Sequence, residues 1–400
     1  MKPWLMTLFL AGLITPALHA RAETWTVLVY WAVDNDLYEF SIPYLRQFEK
    51  VGSDSNLNLV VETDYPATRK SERTLILKDD GTPGRMDQDL PHSFVLETHS
   101  DETRSAQPQT LSRFLKWGMK HFPADRYALV IGSHGMNWRG VIEDGNREEV
   151  MSLSGVRSVL RQFSNQRGAP LDLMVFDACR MAFGEVAHAL RGQARYLLGS
   201  QFDVNGFDHV SPLAMLQSNP AMSVRELGEN YVRHYPHADA GQADFSASLL
   251  SLEAEKIELL DQDLDAVSHQ ILTLSEEERV LLKKNLILTR NEYRDTAVDF
   301  GHLVEVLTRI RPVTEVSLGE ALRRWSPGRV RIDSTGALQQ DHYPEDSSIV
   351  AASATSGSSP ARGVSLSCSP ETTAYASSTF GRRHPAWAIA CSSLLGLRPQ

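Results

Sequence analysis

Two side chains able to do covalent chemistry stand at the ends of two short apolar runs. Tyr127-Ala-Leu-Val-Ile-Gly-Ser-His134-Gly135 stops at an imidazole, and Leu171-Asp-Leu-Met-Val-Phe-Asp177-Ala-Cys179 stops at a thiol. An apolar run that breaks off at a reactive residue is what an α/β protein shows where a buried parallel strand delivers a side chain to the carboxyl edge of its sheet. Cysteine attacks as the thiolate, so it needs a base, a cation or a helix N-terminus nearby. His134 would be the base, and a helix read over Arg180 to Leu190 would supply the terminus. Gly135 counts too. Lacking a side chain, it lets a substrate carbonyl approach its N–H, which with the N–H of Cys179 would form an oxyanion hole worth ~10²–10³ in rate. A lone His-Gly or Asp-Ala-Cys says little; the pair on consecutive strands says much more.

The intervening segment can bring the two together. After the polar loop Asp144-Gly-Asn-Arg147-Glu-Glu, a helix is expected from Ser154, with Val156, Val159, Leu160 and Phe163 on one face, until Gly168-Ala-Pro170 ends it. A strand-helix-strand crossover is right-handed and returns both strand ends to the same sheet edge. Upstream, Trp25 to Val33 reads as a strand closed by Asp34-Asn35-Asp36, where Asp34 or Asn35 would cap the next helix. Leu57 to Glu62 is a second strand, residues 70–98 a hairpin region, and Thr110 precedes a helix carrying Leu111, Phe114, Leu115 and Met119. Downstream, Ser248 to Leu252 reads as a strand, Ile257, Leu260, Leu264, Val267 and Ile271 form a helical stripe, and Ser275 with Glu278 forms a capping box. Residues 333–362, rich in Ser, Ala, Gly and Asp, read as a long surface loop.

With 400 residues and 42% hydrophobic content, the chain can bury a large core. A formal charge of -10 argues against general nucleic-acid binding and leaves room for a locally basic substrate. Residues 1–22 read as a signal peptide: Lys2, an uncharged apolar run from Leu5 to Leu18, then Ala20-Arg21-Ala22 for cleavage, with Ala20 as the alternative end. The run is short for a membrane span, although an uncleaved anchor is the other reading. No cysteine precedes Cys179, which argues against a lipid anchor. The mature chain is expected to start near Glu23 and to be secreted or periplasmic. Of the three cysteines, Cys179 is the natural free thiol; Cys368 and Cys391 are either a disulfide or two separate buried residues. His188, His234 and His237 have no cysteine at ligand spacing, so no metal site is expected from them.

These residues carry a family resemblance. The chain resembles the clostripain-type cysteine peptidases, within the caspase-like group that includes gingipains, legumains and separases. The segments concerned are Trp25 to Leu37, Phe122 to Gly135, Asp172 to Ala182, Asp299-Phe300 with Leu303, and Gly363 to Pro370 followed by Trp387. The resemblance implies an α/β fold, a caspase-like three-layer α/β/α unit with a central, mostly parallel sheet. Residues 23–252 would be the catalytic core and 253–400 helical and strand additions completing it. It implies an endopeptidase that cleaves protein or peptide substrates after Arg or Lys, with Asp177, two before the nucleophile, at the floor of the specificity pocket. A second acidic residue is expected in the pocket wall, Asp208 in preference to Asp203, against the plainer reading of solvated loop aspartates. Family zymogens cut themselves at a basic residue, which points to Arg147, with Arg139 as runner-up and an ordinary surface arginine as the alternative. The dyad needs no cofactor, and calcium enters by resemblance alone. A monomer is expected. The chain departs from the family at Phe207 and His209, where Trp and Tyr are usual, and at Cys368-Ser369 before Pro370. Two rivals stand beside the peptidase: a catalytically weak relative that binds basic peptides, and an α/β protein in which Cys179 is merely buried.

Overall fold

In the computed structural model, residues 23–395 are described except for 67, 82–88, 101–102, 146, 236–245, 291–295, 312–315, 326–330, 333–337, 340–344, 346, 355–363 and 369–377. The signal-peptide reading of residues 1–22 and His237 therefore fall outside the described residues. The two reactive runs are β5 (Arg126–Gly132) and β8 (Leu171–Asp177), whose residues are buried save Arg126 at the start of β5. The remaining strands up to residue 251 are β1 (Trp25–Ala32), β2 (Leu57–Asp64), β3 (Glu72–Leu75), β4 (Phe94–Thr98), β6 (Val141–Asp144), β7 (Glu149–Met151), β9 (Ala194–Gly199) and β10 (Ser246–Ser251). Strands β9, β8, β5, β1 and β2 lie side by side and parallel. At one edge β3 and β4 add antiparallel, and at the other β10 and then Ile349–Ala354 do so, giving nine strands.

Both faces of the sheet are covered, which is why its strands read as continuous apolar runs instead of alternating ones. Trp25, Val27, Val29 and Trp31 of β1 join one core with Ile42, Leu45 and Phe48 of α1 (Tyr38–Val51) and with residues of α5 (Val210–Ser218) and α6 (Val224–His234). Leu28, Tyr30 and Ala32 join the other, with α2 (Pro108–His121), α3 (Leu153–Arg167), α4 (Gly184–Leu190) and α7 (Ala254–Leu272). This is the expected three-layer arrangement. Chain direction across the sheet diverges at β1: it leads to β2 on one side, whereas β5 leads to β8 and β9 on the other. A crevice at the carboxyl ends of the strands opens at such a switch point.

Several expectations need correction. The helix after Cys179 begins at Gly184, not Arg180. Arg180 takes φ 59°, and the backbone of residues 182–183 pairs elsewhere, Ala182 N–H with Ser200 and Phe183 in a bridge to Ser365, so no helical turn can form there. The long loop over 333–362 is interrupted by Ile349–Ala354, which pairs with β10. Its Ser/Ala composition conceals a strand because the partner, Ser-Ala-Ser-Leu-Leu-Ser, is equally small, and backbone pairing stabilises it. Smaller shifts occur at helix starts. Ser152 caps α3 by accepting the Gly155 N–H at 3.2 Å, and Asn35 accepts the Leu37 N–H at 3.0 Å just ahead of α1. The capping box at Ser275 and Glu278 is present. Cys368 and Cys391 form a disulfide, with Cα atoms 5.3 Å apart.

Candidate active site

Gly132 stands opposite Asp177 in the parallel pairing of β5 with β8, so His134 and Cys179 each lie two residues past the same register position. The Ser133 N–H still reaches the Asp177 carbonyl at 3.4 Å. Beyond it the segments stay in close contact at Gly135. A Cβ there would come within 2.1 Å of the Cys179 carbonyl oxygen, so only glycine fits. Among the described residues, neither the Gly135 nor the Cys179 N–H donates to a protein acceptor.

Cys179 is the free, half-buried thiol. Its Sγ accepts the Val204 N–H at 3.4 Å and lies 3.9 Å from the Val204 carbonyl. Burial pushes the thiol up to about 11, and Asp203 and Asp177 add to the rise, while the Val204 hydrogen bond and Arg180 oppose it. The resting sulfur is therefore protonated at neutral pH. Nε2 of His134 lies 2.7 Å from Oδ1 of the well-exposed Asp36 in the turn after β1, so a proton held in that contact leaves the ring's lone pair on Nδ1. The Asp36 contact is a feature that the sequence reading missed, although the Asp34-Asn35-Asp36 cluster had drawn notice as a turn.

Cys179 opens on a small cleft that Trp31, Phe40, Tyr44, Asp177 and Gly206 also line. Gly206, at φ 127°, brings its backbone against the Tyr44 ring, which a Cβ would strike at 2.4 Å. Asp177 is 6% exposed. Its Oδ1 accepts the Phe207 N–H at 3.1 Å, and its Oδ2 accepts from His209 Nε2 at 2.9 Å. With Nε2–H given to the carboxylate, Nδ1 of His209 stands 3.1 Å from the Tyr231 hydroxyl and can accept from it. Burial, with Asp177 and Asp208, drives the Tyr231 phenol far up, so it keeps the proton it donates. Among the described residues, no lysine or arginine lies at ion-pair distance from Asp177.

The other acidic candidates stand elsewhere. Asp208 accepts from the N–H of Val210 at 2.8 Å and the hydroxyl of Ser211 at 2.7 Å, just ahead of and in the first turn of α5. Asp203 pairs with Arg180 at 2.7 Å. Neither lines the cleft. Their local roles explain this: an aspartate ahead of a helix satisfies its first N–H groups, and an exposed one meets the nearest arginine. His209, which the sequence marked only as a departure, does reach Asp177. Arg147 is exposed in the turn between β6 and β7. That hairpin docks on the turn after β1, the Gly145 N–H reaching the Asp34 carbonyl at 2.7 Å and the Asn35 amide reaching the Glu143 carbonyl at 2.9 Å. Arg139 closes a short 3-10 turn, Asn137–Arg139, ahead of β6. No helix among the described residues is long and apolar enough to cross a membrane. Calcium prefers six to eight oxygen ligands. Among the described residues, the sole close group of three potential ligands is His188, Asp261 and His384, a donor set that does not fit it.

The Clostripain family model matches residues 29–321. Clostripain of Hathewaya histolytica is 22% identical over 192 residues, 42% of this chain and 36% of that protein, so the match spans little more than a third of that relative's length. Among solved structures, an inactive zymogen C11 protease from Parabacteroides distasonis is 22% identical, with 90% of this chain and 98% of that one covered and a TM-score of 0.61. A secreted C11 cysteine protease from Bacteroides thetaiotaomicron, in complex with an irreversible peptide inhibitor, is 19% identical, with 92% and 99% covered and a TM-score of 0.61. At these identities the likeness shows a shared fold.

Proposed function

The chain belongs to the clostripain family, and from that premise we propose that it is an exported cysteine endopeptidase that cleaves after Arg or Lys through Cys179 and His134. The observation that carries this reading is a free thiol at the end of β8, two residues past a buried carboxylate that opens on the same cleft and has no lysine or arginine partner among the described residues. A buried carboxylate held by two hydrogen bonds and not already paired with a lysine or arginine suits an ammonium or, in a forked contact, a guanidinium.

In the cycle, His134 takes the Cys179 proton as sulfur attacks the scissile carbonyl, and the N–H groups of Gly135 and Cys179 hold the resulting oxyanion. The C–N bond then breaks, His134 returns its proton to the leaving amine, and the acyl group stays on sulfur as a thioester. Water attacks that thioester with His134 again accepting a proton. Collapse releases the new carboxyl terminus, and the proton returns to the thiol. A sulfur that rests protonated makes the base essential to the first step. Cleavage at Arg147 would free the hairpin β6–β7 from the turn that carries Asp36, and so alter the contact that now holds His134. Asp177 selects the cation, with His209 and Tyr231 positioning it; Asp203 and Asp208 act through the loop that bears them.

The protonated thiol and the imidazole turned to Asp36 also favour a second reading, a weak enzyme that binds basic peptides. Hydrolysis of Arg-, Lys- and Asp-ended chromogenic peptides by wild type and by Cys179→Ala separates the two. Turnover of the Arg or Lys peptides that Cys179→Ala abolishes supports the peptidase, whereas binding without turnover by folded, processed protein leaves the binding module. Asp177→Asn should lower kcat/KM on the favoured peptide by on the order of 10²-fold, since it removes one partner of a buried charge pair. Cleavage after Asp, or indifference to that substitution, would overturn the pocket assignment. Mass spectrometry of active protein would show a break after Arg147 if that residue is the activation site.

A further inference from the structure

Away from the cleft, three buried side chains from distant parts of the chain converge on one point. His188 lies on α4, Asp261 on α7, and His384 between the helices Thr379–Arg383 and Pro385–Leu395. They are 8%, 3% and 1% exposed. His188 Nδ1 stands 3.1 and 3.0 Å from the two Asp261 oxygens, and His384 Nε2 stands 3.2 Å from Oδ1. One donor atom from each residue lies within 4.8 Å of the other two.

The state of His384 makes this cluster more than an ion pair. Its Nδ1 lies 2.8 Å from Oδ1 of Asp265, which fixes a proton on that nitrogen. Its Nε2, on the Asp261 side, is a buried nitrogen without a hydrogen-bond partner. The 3.2 Å separation is within ion-pair reach, but its direction does not suit a hydrogen bond. A polar atom buried in this way costs free energy unless something pairs with it, and a metal ion bridging it to the carboxylate would do so. A ligating histidine whose other nitrogen is held by a carboxylate is the usual outer-shell arrangement of a metal site.

We propose that His188, Asp261 and His384 bind a divalent transition metal of the zinc type, with Asp265 orienting His384 from outside. Two imidazoles and one carboxylate suit zinc and exclude an all-oxygen calcium site. Zinc–ligand bonds of about 2.0–2.1 Å place tetrahedral ligand atoms roughly 3.3 Å apart, close to the 3.0 and 3.2 Å that separate the His188 and His384 nitrogens from the Asp261 carboxylate. The ring of His188 also lines a cavity with Trp138, Arg157 and Glu185. The ion would be structural. His384 lies inside the loop that the Cys368–Cys391 disulfide closes, and His188 lies on the first helix after Cys179, so the metal would fasten the disulfide loop to the element that backs the nucleophile.

The test uses the full chain with Cys179→Ala, so that the free thiol cannot compete for metal. After incubation with zinc and removal of excess, elemental analysis should find about one zinc per chain, and chelation should remove it with a fall in Tm of several degrees. Replacement by cobalt should give the visible absorption of a four-coordinate N/O site. His384→Ala and His188→Ala should each abolish the bound metal, and Asp265→Asn should keep it with about 10–100-fold weaker affinity. Should the histidine variants fail to fold, zinc content and the cobalt spectrum of the Cys179→Ala chain still decide. Absence of stoichiometric metal, or a full complement retained by folded His384→Ala, would overturn the site.

Discussion

The chain holds histidine beside aspartate in two contrasting settings. At the carboxyl edge of the sheet, His134 meets Asp36, whose side chain is 84% exposed. Deep between helices, His188 and His384 meet Asp261, whose side chain is 4% exposed. The chemical groups are the same, and their surroundings assign them opposite tasks. A partner in water can let go, which is the freedom the proposed proton transfers would ask of the imidazole at the strand end. Partners locked in the interior cannot, and what they hold is charge, whether a proton or an ion. The lesson is that residue type nominates a site, while exposure and the freedom of the partner decide between turnover and fastening.

The largest effect that could break this comparison comes from removing each histidine in turn. His134→Ala should reduce kcat/KM by ~10³-fold or more with Tm nearly unchanged, because general acid–base catalysis alone supplies 10²–10⁴. His188→Ala should do the reverse, lowering Tm by several degrees while the folded fraction retains its turnover. Steady-state kinetics and thermal melts of both variants check this, and equal losses of turnover would erase the distinction.

Next in size is the reactivity of Cys179. With its thiol pushed up to about 11, the thiolate fraction at neutral pH is small and grows tenfold per pH unit. The rate of alkylation by iodoacetamide should accordingly climb about a hundredfold from pH 7 to pH 9 without levelling off. A plateau near neutrality would reveal an ion pair with His134 already formed in the resting chain.

The smallest effect is expected at Asp36. Asp36→Asn keeps an acceptor for His134 but removes the charge, so kcat should fall about tenfold with KM unchanged, as expected for orientation of a base. An unchanged kcat would assign Asp36 a purely local role.

Much of the fold was legible because its signals are local. The uniformly apolar runs of β1, β5 and β8, the stripe of α7 and the cap at Ser275 each sit within one window of sequence. The edge strand Ile349–Ala354 was not, because small polar residues carry no strand pattern and only pairing with β10 makes it one. At the candidate site, the strand ends announced His134, Cys179 and Asp177, and the right-handed crossover made them neighbours. Gly135 was legible too, though for a different reason than the one that binds it: contact with the Cys179 backbone leaves no room for a Cβ.

The sequence by itself determined which side chains stop the parallel strands, since that follows from periodicity and the handedness of the chain. It could not determine what those side chains face. Asp36 beside His134, His209 beside Asp177, and Asp203 and Asp208 turned to Arg180 and α5 depend on how loops fold back across the sheet edge. The same holds for His188, Asp261 and His384, which share no window of sequence and meet only once α4, α7 and the disulfide loop have packed. Tertiary structure settled these contacts because hydrogen bonding, burial and charge act over a few ångströms in space, at any distance along the chain.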